Sequence, residues 1–234
     1  MLLRMQTPFN FSLLFDKVSK ALYEGNSGYL LNQTHKHLTK FGNMRARENK
    51  ISYEKILEIG AGKGELYEHV DKNYNQYFMT DVSLWGEEEI KKISEIDSKV
   101  VFELQDIEKL EYPDNFFDRV LVTCVIAHVA EPFKSLEELR RVTKPQGTIS
   151  IAVSTDPSIL LRIIRRVLIL RKMKNLNIPY ELFIAIQHRN NPLGIMNMLN
   201  WIFRNDQIFK RYYPFRLKMW NLSTHIIVDI VKTN

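Results

Sequence analysis

A glycine-rich turn is the part of this sequence that points most directly to chemistry. The apolar run at 56–59 includes Glu58 and leads into residues 60–64, where every second residue is glycine. Glycine reaches backbone conformations closed to other residues, and a loop without side chains lets a ligand lie against the backbone near the positive end of a helix dipole. The dinucleotide pattern fails because Glu65 occupies the place of its third glycine, and the phosphate-loop pattern fails because Gly64 follows Lys63. The turn therefore predicts a ligand loop of another kind.

An apolar strand, an acid and then Gly-x-Gly-x-Gly resembles motif I of the class I S-adenosylmethionine-dependent methyltransferases. Four further segments resemble later motifs of that family in the right order. Asp81 ends the apolar segment 76–80, about 21 residues beyond the loop, as expected of an acid that holds a ribose. Asp106 follows the run 100–104, as the acid that meets adenine does in the family. The last two matches are 115–122, which resembles strand four, and 139–151, which resembles the approach to strand five.

The resemblance implies S-adenosylmethionine as the cofactor and S-adenosylhomocysteine as its product. It places the methionine part on the glycine loop with Glu58, the ribose on Asp81, and adenine between Asp106 and Ile107. The residues that it implies for cofactor binding are Glu58, Gly60, Ala61, Gly62, Gly64, Asp81, Val82, Asp106, Ile107 and Thr123. Because the sulfonium is already reactive, the protein's main task is to align donor and acceptor and to exclude water.

Two histidines are candidates for a general base, which a hydroxyl acceptor would need. His128 lies just past the predicted strand four, where many relatives carry a histidine whatever their substrate, and a structural role is the favoured interpretation. His188 stands beside Arg189 in the polar segment 187–191, and a solvated loop is an equally good interpretation there. Weaker candidates are His35, His37, Tyr23 and Tyr29. The sequence offers no metal-ligand cluster, so metal-assisted transfer is disfavoured.

Apolar runs and helical patterns alternate along the chain, which is typical of a parallel sheet covered by helices on both faces. With the resemblance, this predicts a doubly wound, mostly parallel seven-stranded sheet, a Rossmann-like methyltransferase fold. The predicted strands outside the motifs are 53–59, 216–220 and 225–231, and the predicted helices are 8–24, 28–46, 64–70, 87–95, 132–142 and 159–172. Ligands of such sheets bind beyond the carboxyl ends of the strands, where the strand order reverses.

Four regions follow from this pattern. We expect an N-terminal helical cap at 1–50, the cofactor-binding core at 51–155, a helical insertion that covers the acceptor at 156–210, and the last two strands of the sheet at 211–234.

The net charge of +6 is unevenly distributed. Residues 1–50 carry 8 Lys and Arg against 3 Asp and Glu, residues 51–155 carry 12 against 20, and residues 156–234 carry 13 against 4. A basic region beside an acidic core predicts an anionic acceptor. A loose similarity of the segments 187–191 and 211–222 to methyltransferases of surface-polysaccharide pathways favours a sugar or a phosphorylated, nucleotide-linked sugar.

Two other classes of function stay open. The basic flanks and their aromatic residues, which could stack on bases, leave open an RNA or other nucleic-acid methyltransferase, although the tetrad typical of adenine and N4-cytosine methylases is absent at 124–127. A non-catalytic partner subunit with this fold is disfavoured, because the glycines and both acids are intact.

Composition indicates a cytoplasmic protein. Cys124 is the only cysteine, so no internal disulfide forms, and its apolar strand favours packing over chemistry. No apolar run is long enough to span a bilayer. Peripheral contact of the basic helix 159–172 with a membrane stays open, as does the oligomeric state.

Overall fold

The computed structural model describes residues 17–18, 26–84 and 86–233, and its centre is one seven-stranded sheet. The strands are β1 (Tyr53–Ile59), β2 (Tyr74–Asp81), β3 (Val100–Leu104), β4 (Phe117–Thr123), β5 (Thr143–Ser154), β6 (Gln207–Pro214) and β7 (Ser223–Val231). Their order is β3-β2-β1-β4-β5-β7-β6. Only β7 runs antiparallel to its neighbours, β5 and β6. The predicted doubly wound, mostly parallel seven-stranded sheet is therefore confirmed.

Helices cover both faces of the sheet. They are α1 (Asn26–Glu48), α2 (Glu87–Ile96), α3 (Pro132–Val142), α4 (Ile159–Ile164), α5 (Leu170–Asn175), α6 (Tyr180–Gln187) and α7 (Pro192–Ile202). A π-helical turn at Arg165–Ile169 joins α4 to α5 without a break. Single 3-10 turns lie at Glu65–His69, Val125–Ala127 and Trp220–Leu222. Among the helices described, none is both long and apolar enough to cross a membrane.

The strand order reverses between β1 and β4, which places the carboxyl ends of both strands beside one crevice. Ile59 pairs with Thr80 on one side and with Val122 on the other. The loops that follow β1, β2 and β4 therefore leave the sheet at the same edge, as the doubly wound topology requires of a ligand site.

Helix α1 is fixed to the sheet through a buried arginine. Arg119 on β4 is fully buried and donates to Asn43 Oδ1 at 2.7 Å and to the carbonyl of Thr39 at 2.8 Å. The helix can approach this closely because residue 42 is glycine, where a Cβ would lie 2.4 Å from Arg119 Nε. The contact anchors the helix that forms one wall of the crevice.

Two local predictions were wrong. The sixth strand lies at Gln207–Pro214 rather than 216–220, because Arg216 has a left-handed backbone with φ of 57° that interrupts an extended segment. Tyr213 is the only buried residue of this edge strand, and the charged pair Lys210 and Arg211 interrupts its apolar pattern, so the segment gave no strand signal. The helix predicted at 64–70 is only the 3-10 turn Glu65–His69. The helix predicted at 8–24, and Tyr23 within it, lies outside the described residues apart from 17–18.

Candidate active site

A cavity of about 540 Å³ opens at the carboxyl edge of the sheet, between α1 on one side and α4 to α6 on the other. It contains most of the residues that the sequence singled out, although they come from separate loops. The predicted residues that line it are Gly60, Gly62, Asp81, Val82, Ile107, Thr123, His128 and His188. The two proposed half-sites, for cofactor and for acceptor, therefore share one space.

The glycine loop has the backbone that its sequence requires. Gly60, Gly62 and Gly64 have φ of 71°, 56° and 80°, a region that residues with a side chain rarely adopt. A Cβ on Gly60 would also lie 2.3 Å from Val125 Cγ2. The amides of Gly60 and Ala61 both donate to the carbonyl of Thr80, at 2.8 and 3.0 Å. The loop thus turns sharply over the ends of β1 and β2 and presents bare backbone to the cavity.

Asp81 connects this loop to the end of β2. Its Oδ2 accepts a hydrogen bond of 3.2 Å from the amide of Gly62, and its Oδ1 accepts one of 3.1 Å from the amide of Ser83. One carboxylate therefore orders the turn and still faces the cavity, where a ligand hydroxyl could donate to it.

Four predicted cofactor residues do not line the cavity: Glu58, Ala61, Gly64 and Asp106. Glu58 is 2% exposed and lies behind the loop, where its carboxyl accepts a 2.7 Å hydrogen bond from the Tyr77 hydroxyl. Burial raises the pKa of Glu58 to about 8, which makes it a neutral support at pH 7. Ala61 is buried, and a Cβ on Gly64 would contact Ile93.

Asp106 is exposed and accepts a hydrogen bond of 2.9 Å from the amide of Glu108. Its neighbours Gln105 and Ile107 face the cavity instead. Sequence reasoning missed Gln105, because only the loop geometry after β3 decides which of two adjacent polar residues points inward.

The end of β4 contributes a buried polar atom whose hydrogen bonding is unsatisfied by the described residues. The hydroxyl Oγ1 of Thr123 is buried in the cavity wall and has no hydrogen-bond partner among the described residues. An unsatisfied buried hydroxyl costs free energy unless a ligand or water binds it. Next to it, burial raises the pKa of the Cys124 thiol to about 11, so the thiol stays protonated at neutral pH, in keeping with packing rather than nucleophilic chemistry. The bare glycine backbone, Asp81 and the free Thr123 hydroxyl together fit a nucleoside-containing cofactor.

The two candidate bases meet on the cavity wall, with ring centroids 5.0 Å apart. Asn190 brings them together, because its Nδ2 donates to the carbonyls of Ile126 and Val129 at 2.9 and 2.8 Å and so fastens the end of α6 to the loop after β4. Nδ1 of His128 donates a hydrogen bond of 2.9 Å to the carbonyl of Gln187. The proton on Nδ1 leaves Nε2 with a free lone pair. Burial, with help from His188, lowers the pKa of His128, so its ring is neutral at pH 7.

His188 lies against a buried carboxylate. Its Nδ1 is 2.7 Å from Oδ2 of Asp156, a close ion-pair contact without the angle of an aligned hydrogen bond. Arg165, at the start of the π-helical turn, approaches both oxygens of Asp156 at 2.7 and 2.5 Å. Burial raises the pKa of Asp156, but the contacts with His188 and Arg165 outweigh it and lower the pKa to about 2. Asp156 is thus a fixed anion that can orient the imidazole and stabilise its charged form.

Thr34, Ser154, Thr224 and His225 also line the cavity. The apolar part of the wall comes mostly from three helical segments and includes Leu30, Leu31, Leu161, Ile164, Ile169, Phe183 and Ile184. The sequence signalled these residues only as helical apolar spacing, which does not distinguish a ligand wall from a core. The weaker candidates lie elsewhere: Tyr29 is 69% exposed, His35 packs near His69, and His37 stacks on Tyr213.

Comparison with known proteins agrees with this geometry. A family model described as "Methyltransferase domain" matches residues 57–151, from β1 to β5. Residues 57–151 therefore form a methyltransferase domain of the class I S-adenosylmethionine-dependent type, as the order of the motifs predicts. S-adenosylmethionine is accordingly the cofactor of this domain.

Two curated methyltransferases illustrate the similarity. A demethylmenaquinone methyltransferase of Clavibacter sepedonicus is 32% identical over 156 residues, which cover 66% of this chain and 62% of that protein. The ubiquinone/menaquinone biosynthesis C-methyltransferase UbiE of Bdellovibrio bacteriovorus is 28% identical over 144 residues, 59% of each chain. This methyltransferase therefore spans about three fifths of the length of the curated relatives that it matches.

Solved structures show the same fold at low identity. The plantazolicin methyltransferase BamL, in complex with a triazolic desmethylPZN analog and SAH, has a TM-score of 0.69 at 11% identity and covers 96% of this chain and 94% of its own. The CurJ carbon methyltransferase has a TM-score of 0.64 at 17% identity and covers 94% of this chain and 59% of its own.

Proposed function

We propose that this methyltransferase transfers the methyl group of S-adenosylmethionine to a small acceptor with an apolar reacting end. One observation carries the proposal: the glycine loop, an apolar wall and the two candidate bases, His128 and His188, share a single cavity. Cavities of several hundred cubic ångströms with apolar walls and a few polar groups are typical of small-molecule sites.

The residues of the chain divide the work of the reaction between them. When bound, the cofactor supplies a methyl group attached to a sulfonium sulfur. Once the acceptor has taken the methyl group, this sulfur is left as a neutral thioether. Gly60, Gly62 and Asp81 would fix the donor, while the apolar side chains of α1, α4 and α6 would orient the acceptor and exclude water.

His188 is the proposed general base. Its contact with Asp156 favours the proton on Nδ1 and leaves Nε2 free to take a proton from the acceptor. The imidazolium that forms lies beside an anion that is already ionised. His128 lies at van der Waals range of His188 and, as a neutral imidazole, is proposed to position the acceptor through its free Nε2.

An aromatic ring that carries a hydroxyl fits this cavity best. Such a ring would pack against Phe183, Leu30 and Ile164, and loss of its hydroxyl proton would activate either the oxygen or the adjacent ring carbon as a nucleophile. The names of the two curated relatives refer to quinones, which supports an aromatic acceptor of this class. A sugar or nucleotide-linked sugar of a polysaccharide pathway is a second candidate, favoured by the 13 Lys and Arg against 4 Asp and Glu in residues 156–234.

The test is the release of S-adenosylhomocysteine from the full chain with two acceptor sets. One set contains hydroquinones and naphthohydroquinones, and the other contains phosphorylated and nucleotide-linked sugars. We expect turnover with the first set, lost in Gly62→Val because a β-branched residue at φ of 56° distorts the cofactor loop. Turnover confined to the sugar set would replace the aromatic acceptor, and no turnover with either set while the cofactor binds would reject both classes.

A further inference from the structure

A second groove of about 750 Å³ lies on the outer side of the helices that wall the cavity. It shares four lining residues with the cavity, namely Arg165, Tyr180, Ile184 and His188. The two spaces therefore adjoin at these four residues, beside the Asp156–Arg165 ion pair.

Three arginines give this groove its charge. Arg162 on α4 and Arg166 in the π-helical turn that follows it are four residues apart, and Arg189 lies just beyond the end of α6. All three are exposed, and none forms an ion pair with any residue in the described part of the chain. They are called the groove arginines below.

The acidic groups of the groove do not neutralise these arginines. Asp156 is engaged by Arg165 and His188, which leaves Glu181 as the other carboxylate among the described lining residues. No acidic residue occurs between Asp156 and Glu181 in the sequence. Guanidinium groups without partners bind phosphate and carboxylate oxygens by charge-assisted hydrogen bonds.

We propose that the groove arginines bind an anionic group, a phosphate or diphosphate, at the end of the acceptor remote from the methylated atom. The inference deepens the proposed function and rests on it. It defines the acceptor as an amphiphile with an apolar reacting end in the cavity and an anionic end in the groove. It also reconciles an apolar catalytic cavity with the basic charge of residues 156–234.

Inorganic pyrophosphate is the first probe, titrated by calorimetry into the full chain saturated with S-adenosylhomocysteine so that the cofactor site is filled. We expect binding that weakens with added salt. Arg162→Ala, Arg166→Ala and Arg189→Ala should each weaken it about two- to fivefold, the usual range for an exposed ion pair, and the triple variant should abolish it. Arg171→Ala is the matched control, because this exposed arginine follows on the same helical segment but does not line the groove.

The second probe is a pair of hydroquinones that differ only in a terminal alkyl phosphate. The phosphate should lower KM in the wild-type chain and leave KM unchanged in the triple variant, with cofactor affinity unaffected in both. Loss of the proposed function would appear instead as no turnover of either compound while pyrophosphate still binds.

Three results would overturn the groove proposal. The first is a failure of pyrophosphate to bind. The second is a loss of pyrophosphate affinity in Arg171→Ala as large as in the groove variants. The third is an equal KM for the two hydroquinones, with and without the terminal phosphate, in an active wild-type enzyme. Sedimentation with phosphatidylglycerol vesicles tests whether the groove arginines bind the phosphate of a lipid headgroup rather than that of a small acceptor. Vesicle binding that depends on the groove arginines, without pyrophosphate binding, would assign the surface to a membrane instead.

Discussion

At the scale of single residues, one carboxylate connects the loop to the ligand space. Asp81 accepts hydrogen bonds from the amides of Gly62 and Ser83 and also lines the cavity. Its loss therefore removes both a proposed contact to the ribose and the order of the loop that surrounds the methionine part.

We predict that Asp81→Ala weakens S-adenosylhomocysteine binding by about 1.5–3 kcal/mol, the usual contribution of a hydrogen bond to a charged group. Calorimetry measures this directly. The control is Asp71→Ala, which removes a carboxylate paired with Arg47 on the surface and should leave binding unchanged. Equal affinities for Asp81→Ala and the wild type would show that the ligand does not contact this acid.

The proposed base makes a prediction of its own. His188→Gln should lower kcat about 100-fold or more, the usual contribution of a general base. Asp156→Asn should also lower kcat, because the charge beside Nδ1 is lost. Cofactor affinity should not change in either variant. Full activity in His188→Gln, with a comparable loss of kcat in His128→Gln, would assign the base to His128.

Glu58 couples folding stability to pH. Its pKa of about 8 in the fold lies above its ordinary value, so the folded state holds a proton that the unfolded chain has released. Stability of the chain without cofactor should therefore fall as pH rises from about 4.5 to 8. Glu58→Gln keeps an acceptor for Tyr77 and should be more stable than the wild type at pH 8, with little difference at pH 4. Urea unfolding at both pH values checks this, and a parallel pH dependence in both proteins would contradict it.

At the scale of elements, the position of α1 depends on the fit between a glycine and a buried arginine. Gly42→Ala places a Cβ within 2.4–2.7 Å of the Arg119 guanidinium, which is held by Asn43 and Thr39. We predict a loss of about 1–3 kcal/mol in the free energy of unfolding, as for other overpacked sites. Met44→Ala, at an exposed position of the same helix, should cost much less. Equal stabilities of Gly42→Ala and the wild type would show that the helix can shift freely.

The elements also show what local sequence can and cannot reveal. The bounds of β1 and α3 follow from apolar runs and from Pro132 at a helix start, and both were predicted to the residue. Strand β6 was not, because its place in the sheet comes from pairing with β7, and the charged pair Lys210 and Arg211 interrupts its apolar pattern. The π-helical turn likewise gave no signal, yet it carries Arg165 to Asp156.

At the scale of the whole molecule, the topology decided which predicted residues meet. Parallel strands deliver Gly60, Asp81 and Thr123 to one edge, so the cofactor half of the cavity could be predicted from motif order. The pair of Asp156 and His188 could not, since the two residues are 32 positions apart and lie on segments that follow β5 and α6. The apolar wall proposed for the acceptor could not be predicted either, because it forms only when three helical segments pack together.

The most direct test of the account is a calorimetric titration of S-adenosylhomocysteine into the full chain, with NADH as the comparison ligand. The cavity beside the glycine loop predicts one binding site per chain for S-adenosylhomocysteine, weakened in Asp81→Ala, and no binding of NADH because the dinucleotide pattern fails at Glu65. Binding of NADH without binding of S-adenosylhomocysteine would contradict the account.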